Sequence, residues 1–163
     1  MAGRSTFGCS AVNTAEFEQM RQRIHHSGRC LDDRDYDGFI DLFTPDGAYR
    51  IEVDAPEMKS KMTWMTLDRD ELRQRFQSVP EQVWRDIETT HLIAVDTIDF
   101  EGETAKTSAT VSIFRTDDEG RTQVYAVGRY EDAWQRIENK WRISLRVLDL
   151  RTRLLPVPAP LPL

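Results

Sequence analysis

A chain of 163 residues suits one domain and can bury well over half of its unfolded surface, enough for a single sizeable core. Its 28 acidic against 22 basic residues leave a net charge of −6, which argues against a phosphate-tracking surface and so against nucleic acid as a partner. No run approaches the ~20 apolar residues of a bilayer span, and Met1 to Ser10 lacks the apolar core of a secretory signal, so a cytoplasmic chain with no membrane partner is expected.

Asn13 and Glu16 form a capping-box pattern, after which Phe17, Met20, Ile24 and Leu31 keep one stripe apolar, predicting a helix over Thr14 to Asp33. Tyr36, Phe39, Ile40 and Phe43 then recur at i, i+3, i+4 and i+7, predicting a second, shorter helix stopped by Pro45, Asp46 and Gly47. Tyr49, Ile51 and Val53 mark a short strand over Ala48 to Val53 leading into a loop over Pro56 to Thr66. That loop gathers Met58, Met62, Trp64 and Met65, adaptable side chains that suit a lid, ordinary packing or a subunit contact.

Asp68 with Glu71 repeats the capping-box pattern, Leu72 and Phe76 continue it, and Ser78, Pro80 and Glu81 suggest a second start, so helix is expected across Asp68 to Arg85. From Thr89 the period changes to two: Ala105, Thr107, Ala109, Val111 and Ile113 alternate with polar residues. Four strands joined as hairpins are predicted, over Thr89–Phe100, Thr104–Thr116, Thr122–Ile137 and Trp141–Thr152. Strands of that length must twist and curl, leaving a concave face for the helices to cover.

Helices followed by antiparallel strands define an α+β class rather than an alternating fold. The expected organisation is a flexible leader over 1–12, a single cone-shaped domain over 13–155 and a proline-rich arm over 156–163. Prolines alternating with apolar residues cannot continue a sheet, so the arm is expected to be extended, and either frayed or docked on a neighbour. Cys9 and Cys30 show no CxxC or Cys/His spacing and are expected to be free thiols.

The run Leu31-Asp32-Asp33-Arg34-Asp35-Tyr36-Asp37, with Leu42 to Gly47 and the later Gly128-Arg129-Tyr130-Glu131-Asp132 and Trp141-Arg142-Ile143, resembles the cone-shaped α+β superfamily of nuclear transport factor two, ketosteroid isomerase and scytalone dehydratase. Within it, Leu31 to Arg34, the Met/Trp insertion before Asp68, His91 opening a strand, and Arg146 to Thr152 are most similar to the small (β) subunits of Rieske non-haem iron aromatic-ring-hydroxylating oxygenases. That resemblance implies a non-catalytic, assembling role in aromatic compound catabolism. It also implies an oxygenase α subunit as partner, carrying the [2Fe–2S] cluster and mononuclear iron, with three β subunits beside three α subunits. No cofactor or metal is then expected in this chain; its two cysteines and three histidines supply no paired Cys-x-His boxes and no evident two-His-one-carboxylate set. The chain departs from many β subunits in reading Leu92-Ile93-Ala94-Val95 after His91, where a polar Asn is expected.

The rival reading is a stand-alone dehydratase, isomerase or cyclase. Asp32 and His91 stand where scytalone dehydratase has its Asp and first His, and Tyr49 would supply a phenol donor; the second sheet histidine of that enzyme has no counterpart. Against this stand simpler roles, with Asp32 a solvated or ion-paired helix-end charge and His91 a hydrogen-bonded core or interface residue. A third reading is a small-molecule binder using the same apolar walls without chemistry. His25 and His26 project roughly 100° apart on the first helix and are read as surface or interface residues. Arg129, Arg142, Arg146, Arg151 and Arg153 make the last strands locally basic, suiting cross-strand ion pairs or an acidic subunit rim.

Overall fold

A computed structural model describes residues 14–78, 87–156 and 163. Helix α1 (Thr14–Asp32) and the short α2 (Tyr36–Ile40) lead into β1 (Phe43–Ala55), a 3-10 turn (Pro56–Met58), β2 (Ser60–Asp68) and α3 (Arg69–Ser78). Strands β3 (Ile87–Glu101), β4 (Thr104–Asp117), β5 (Thr122–Ile137) and β6 (Lys140–Leu150) complete an α+β domain. The sheet order is β2-β1-β6-β5-β4-β3; every pairing is antiparallel except β1 with β6. No helix among the described residues is long and apolar enough to cross a membrane.

The four consecutive hairpin strands follow their alternation closely. Ala105, Thr107, Ala109, Val111 and Ile113 are all buried, so the period-two signal in β4 reports the true inner face. Register shifts interrupt all five strand pairings, at Ile51/Glu52, Phe43/Ala48, Val95/Thr97, Ile113/Phe114 and Ala133/Trp134. Such bulges bend and twist their strands, curling the sheet around α1.

Three expectations are corrected. Helix α2 stops at Ile40 instead of reaching Phe43, because the Leu42 carbonyl accepts the Ile143 amide at 2.8 Å and draws the chain into the sheet beside β6. Phe43 opens a strand, and Pro45, Asp46 and Gly47 lie within β1 rather than forming a turn; the six residues of β1 from Phe43 to Ala48 lie against the three from Ile143 to Leu145 on β6. The expected Pro56–Thr66 loop is mostly the edge strand β2, which escaped detection because most of its residues are exposed and little alternation survives. Met62 and Trp64 are partly exposed on it, whereas Met65 packs on the core.

The Asp68/Glu71 capping box forms as expected: the Glu71 amide donates to Asp68 Oδ1 at 2.8 Å and the Asp68 amide to Glu71 Oε2 at 2.9 Å. Asn13, Cys9, the second helical start at Pro80 and Glu81, and residues 157–162 of the arm lie outside the described residues. Glu16 caps nothing that is described; it accepts from the Arg136 guanidinium and from Trp141 Nε1.

Three of the buried polar side chains, Thr107, Asp132 and Arg146, fall in one row of the sheet. Ile98, Thr107, Asp132, Arg146, Tyr49 and Leu67 sit side by side across all six strands. In its middle Arg146 donates through Nε and Nη2 to Asp132 at 2.8 and 2.7 Å, and both side chains are almost wholly sealed from solvent. Arg146 Nη1 reaches Ser27 Oγ on α1 at 2.9 Å, and its guanidinium lies 4.2 Å over the Tyr130 ring. Burial pulls the guanidinium pKa down, but the Asp132 charge and hydrogen bonds outweigh it and hold the pKa above its ordinary value. The other arginines of the late strands also take cross-strand or nearby partners: Arg129 with Asp96, Arg151 with Asp149, Arg153 with Glu57, and Arg142 on the Asp41 carbonyl.

Removing one member of the sealed pair leaves a buried charge alone. Asp132→Ala should cost about 3–5 kcal/mol in urea unfolding, whereas the double change Asp132→Leu with Arg146→Met should cost far less.

Candidate functional site

Two clusters of polar side chains face the inside of the curl. The first joins the end of α1 to the start of β3. Asp32 Oδ1 lies 2.5 Å from His91 Nδ1 and accepts the Thr89 hydroxyl at 3.1 Å, while Oδ2 accepts the His91 amide at 2.9 Å. A carboxylate accepts rather than donates, so Nδ1 is the ring nitrogen that gives its proton to this contact. The His91 side chain is 3% exposed, and its Nε2 is a buried atom without a hydrogen-bond partner.

Gly28 makes this contact reachable. A Cβ there would meet Ile93 Cδ1 at 2.8 Å and His91 Cβ at 3.0 Å, so the absent side chain lets α1 lie directly on β3 one turn before Asp32. A glycine inside an apolar-periodic helix costs about 1 kcal/mol relative to alanine, and that cost is the sequence signal that could have marked the close approach.

The second cluster is a pair of phenols. Tyr49 on β1 and Tyr130 on β5 are both sealed, and both donate to the main-chain oxygen of Leu163, at 2.5 and 3.0 Å. Burial drives both hydroxyls upward, Tyr49 well above the ordinary tyrosine value with Tyr130 beside it adding to the rise, so both act as neutral donors. Leu163 is itself buried; at this residue the arm is neither frayed nor docked on a neighbour but seated in the domain's own core.

All three residues singled out from sequence therefore face the interior. Asp32 and His91 are joined, and neither is a free surface group; Tyr49 pairs instead with Tyr130, which was not foreseen. The available signal was Asp132, a carboxylate in the same inward phase of β5 as Tyr130 and Trp134, since an unpaired acid is rarely buried. Chemically, the first cluster can orient an imidazole for proton transfer, and the second can hold a carbonyl oxygen between two neutral donors.

The remaining metal-capable groups stand apart. His26 Nε2 lies 3.4 Å from the Cys30 thiol on α1. Among the described residues, Asp117, Asp118 and Glu119 cluster on the exposed β4–β5 turn, where Arg121 pairs with Asp117 and Glu119. Cys30 is a buried free thiol whose pKa is raised to about 11, chiefly by burial and then by Asp35.

A family model described as a SnoaL-like domain matches residues 13–147. No curated protein matches. Among solved structures, a chain of naphthalene 1,2-dioxygenase with indole in its active site superposes with a TM-score of 0.72 at 18% identity, over 92% of this chain and 85% of that one. The β subunit of a provisionally assigned aromatic-ring-hydroxylating dioxygenase from Novosphingobium aromaticivorans gives 0.69 at 22%, over 85% and 92% of the two chains. A provisionally assigned scytalone dehydratase from the same organism gives 0.62 at 20%, over 86% and 87%. At these identities the likeness establishes the fold.

Two outcomes follow from the site. Asp32→Ala should cost about 1–3 kcal/mol, since it strips the buried His91 amide and Nδ1 of their acceptor. Nitrogen NMR of the imidazole should then show the Nδ1-protonated form of the parent chain giving way to a mixture. Cys30 should react with iodoacetamide at pH 9 at least ~50-fold more slowly in the folded chain than in urea, because a pKa near 11 keeps the thiol protonated where an ordinary one is half ionised.

Proposed function

The chain belongs to the SnoaL-like domain family, and from that premise we propose that it is a non-catalytic β-type subunit of a hetero-oligomeric Rieske non-haem iron ring-hydroxylating oxygenase. The observation that carries this reading is the closed interior: Tyr49 and Tyr130, which an enzyme of this shape would turn on a substrate, are both engaged by Leu163 of the same chain. The Arg146–Asp132 pair beside them is equally committed. A cone filled in this way is a rigid body for others to pack on.

The outer face of the sheet supplies a surface for packing. Leu92 is 64% and Val124 54% exposed, and the half-buried Phe114 is paired with Val124 across β4 and β5. Exposed apolar side chains on a stiff sheet suit burial against a larger subunit. In this reading the α subunit holds the [2Fe–2S] cluster and the mononuclear iron, and three copies of the chain stand beside three α subunits in the cytoplasm. Among the described residues the one group of three or more metal-capable side chains is Asp117, Asp118 and Glu119, an all-carboxylate set that fits neither centre. Its contribution is to hold donor and acceptor sites of neighbouring α subunits in register.

One observation favours a second reading. The buried, unpartnered His91 Nε2, oriented by Asp32, is arranged as a general base would be in a dehydratase, isomerase or cyclase.

Co-expression with an adjacent large oxygenase subunit, followed by size-exclusion chromatography and iron analysis, separates the two. Co-elution is expected, with iron in the large subunit, undisturbed by His91→Ala and abolished by Leu92→Asp with Val124→Asp. Turnover by the purified chain alone that disappears in His91→Ala would instead establish the acid–base enzyme and overturn the scaffold reading.

A further inference from the structure

A groove of about 440 Å³ runs between the outer flank of α1 and the β5–β6 turn, away from the interior described above. Gln19, Arg23, His26 and Arg29 come from one stripe of α1, and Lys140 and Trp141 from the start of β6. On a chain of net charge −6, this lining holds three permanent cations and no carboxylate. Two acids on the same helix are already occupied: Glu16 accepts from Arg136 and Trp141, and Glu18 takes Arg21 and Gln22.

Arg23 carries the case. Its Nε is a buried atom without a hydrogen-bond partner, and among the described residues no acid pairs with Arg23, Arg29 or Lys140. The Arg142 guanidinium lies close enough to add its own positive charge to Arg23, and burial followed by this repulsion lowers the Arg23 pKa. Half-burying a guanidinium beside another, with a donor unmet, is unfavourable unless an anion completes the site.

We propose that this groove binds a small organic phosphate monoester, with Arg23, Arg29 and Lys140 on its phosphate oxygens. Arginine forks match a tetrahedral dianion, and lysine adds a point charge. The volume lies in the range of small-molecule sites and leaves room for an organic remainder beside Trp141 and the glutamine amides. The site is independent of both readings of the interior.

The test is thermal unfolding of the full chain with phenyl phosphate, inorganic phosphate, or sodium chloride at matched ionic strength. Millimolar phenyl phosphate should raise the melting temperature by about 3–5 °C, inorganic phosphate by less, and chloride not at all. Arg23→Gln and Lys140→Gln should each abolish the response with unchanged circular dichroism. Without ligand, Arg23→Gln should melt no lower than the parent, since it removes the repulsion from Arg142. An equal response to chloride or a response surviving in both variants would overturn the proposal. So would a ligand-free Arg23→Gln chain melting more than about 3 °C lower, which would show that the guanidinium is satisfied within the fold.

Discussion

The buried pair of Arg146 and Asp132 is the constraint around which the domain is arranged. It is sealed inside a mostly apolar curl, clamps β5 to β6, and sends its third donor into α1 through Ser27. The arginine also supports the Tyr130 ring from below, so the phenol pair and the helix are fixed by the same charge. An ion pair this deep is a weak source of net stability, because desolvation consumes much of the attraction. Its value is positional: only one register of β5 against β6, and one seat for α1, satisfies every donor.

The Asp32–His91 contact depends on that seating. Helix α1 must lie flat on β3 for a carboxylate at its last residue to reach a strand amide and an imidazole together, and Gly28 clears the space. The same contact serves as a staple in a scaffold and as an orienting bond in an acid–base enzyme. What differs between the two is whether anything other than protein approaches Nε2. With Leu163 on the phenols, the interior reads as completed structure.

Much of this was legible in the residues, for reasons that can be named. Strands β3 to β6 announce themselves because one face is buried and the other wet, so the period of two is unbroken from Ala105 to Ile113. Strand β2 has little buried surface and therefore no period to read. The end of α2 was misplaced because Phe43 continues the helical spacing while a distant strand, through Ile143, claims the backbone just before it. Asp32, His91 and Tyr49 were singled out through the resemblance to scytalone dehydratase, but Tyr130 and Leu163 were not. Their meeting joins residues brought together only by the curled sheet, which local pattern does not encode.

The parallel ladder between β1 and β6 has a temporal consequence. Tyr49 is paired in register beside Arg146, so the first strand of the sheet waits for the sixth. Until then β1 can pair only with β2, and the apolar inner residues Tyr49, Ile51 and Val53 lack their cover. Closing so long a loop before any reward makes assembly slow, and a nascent chain stalled before β6 presents an open, sticky edge. The sheet is thus completed only once β6 is available, and its exposure to aggregation is greatest before then.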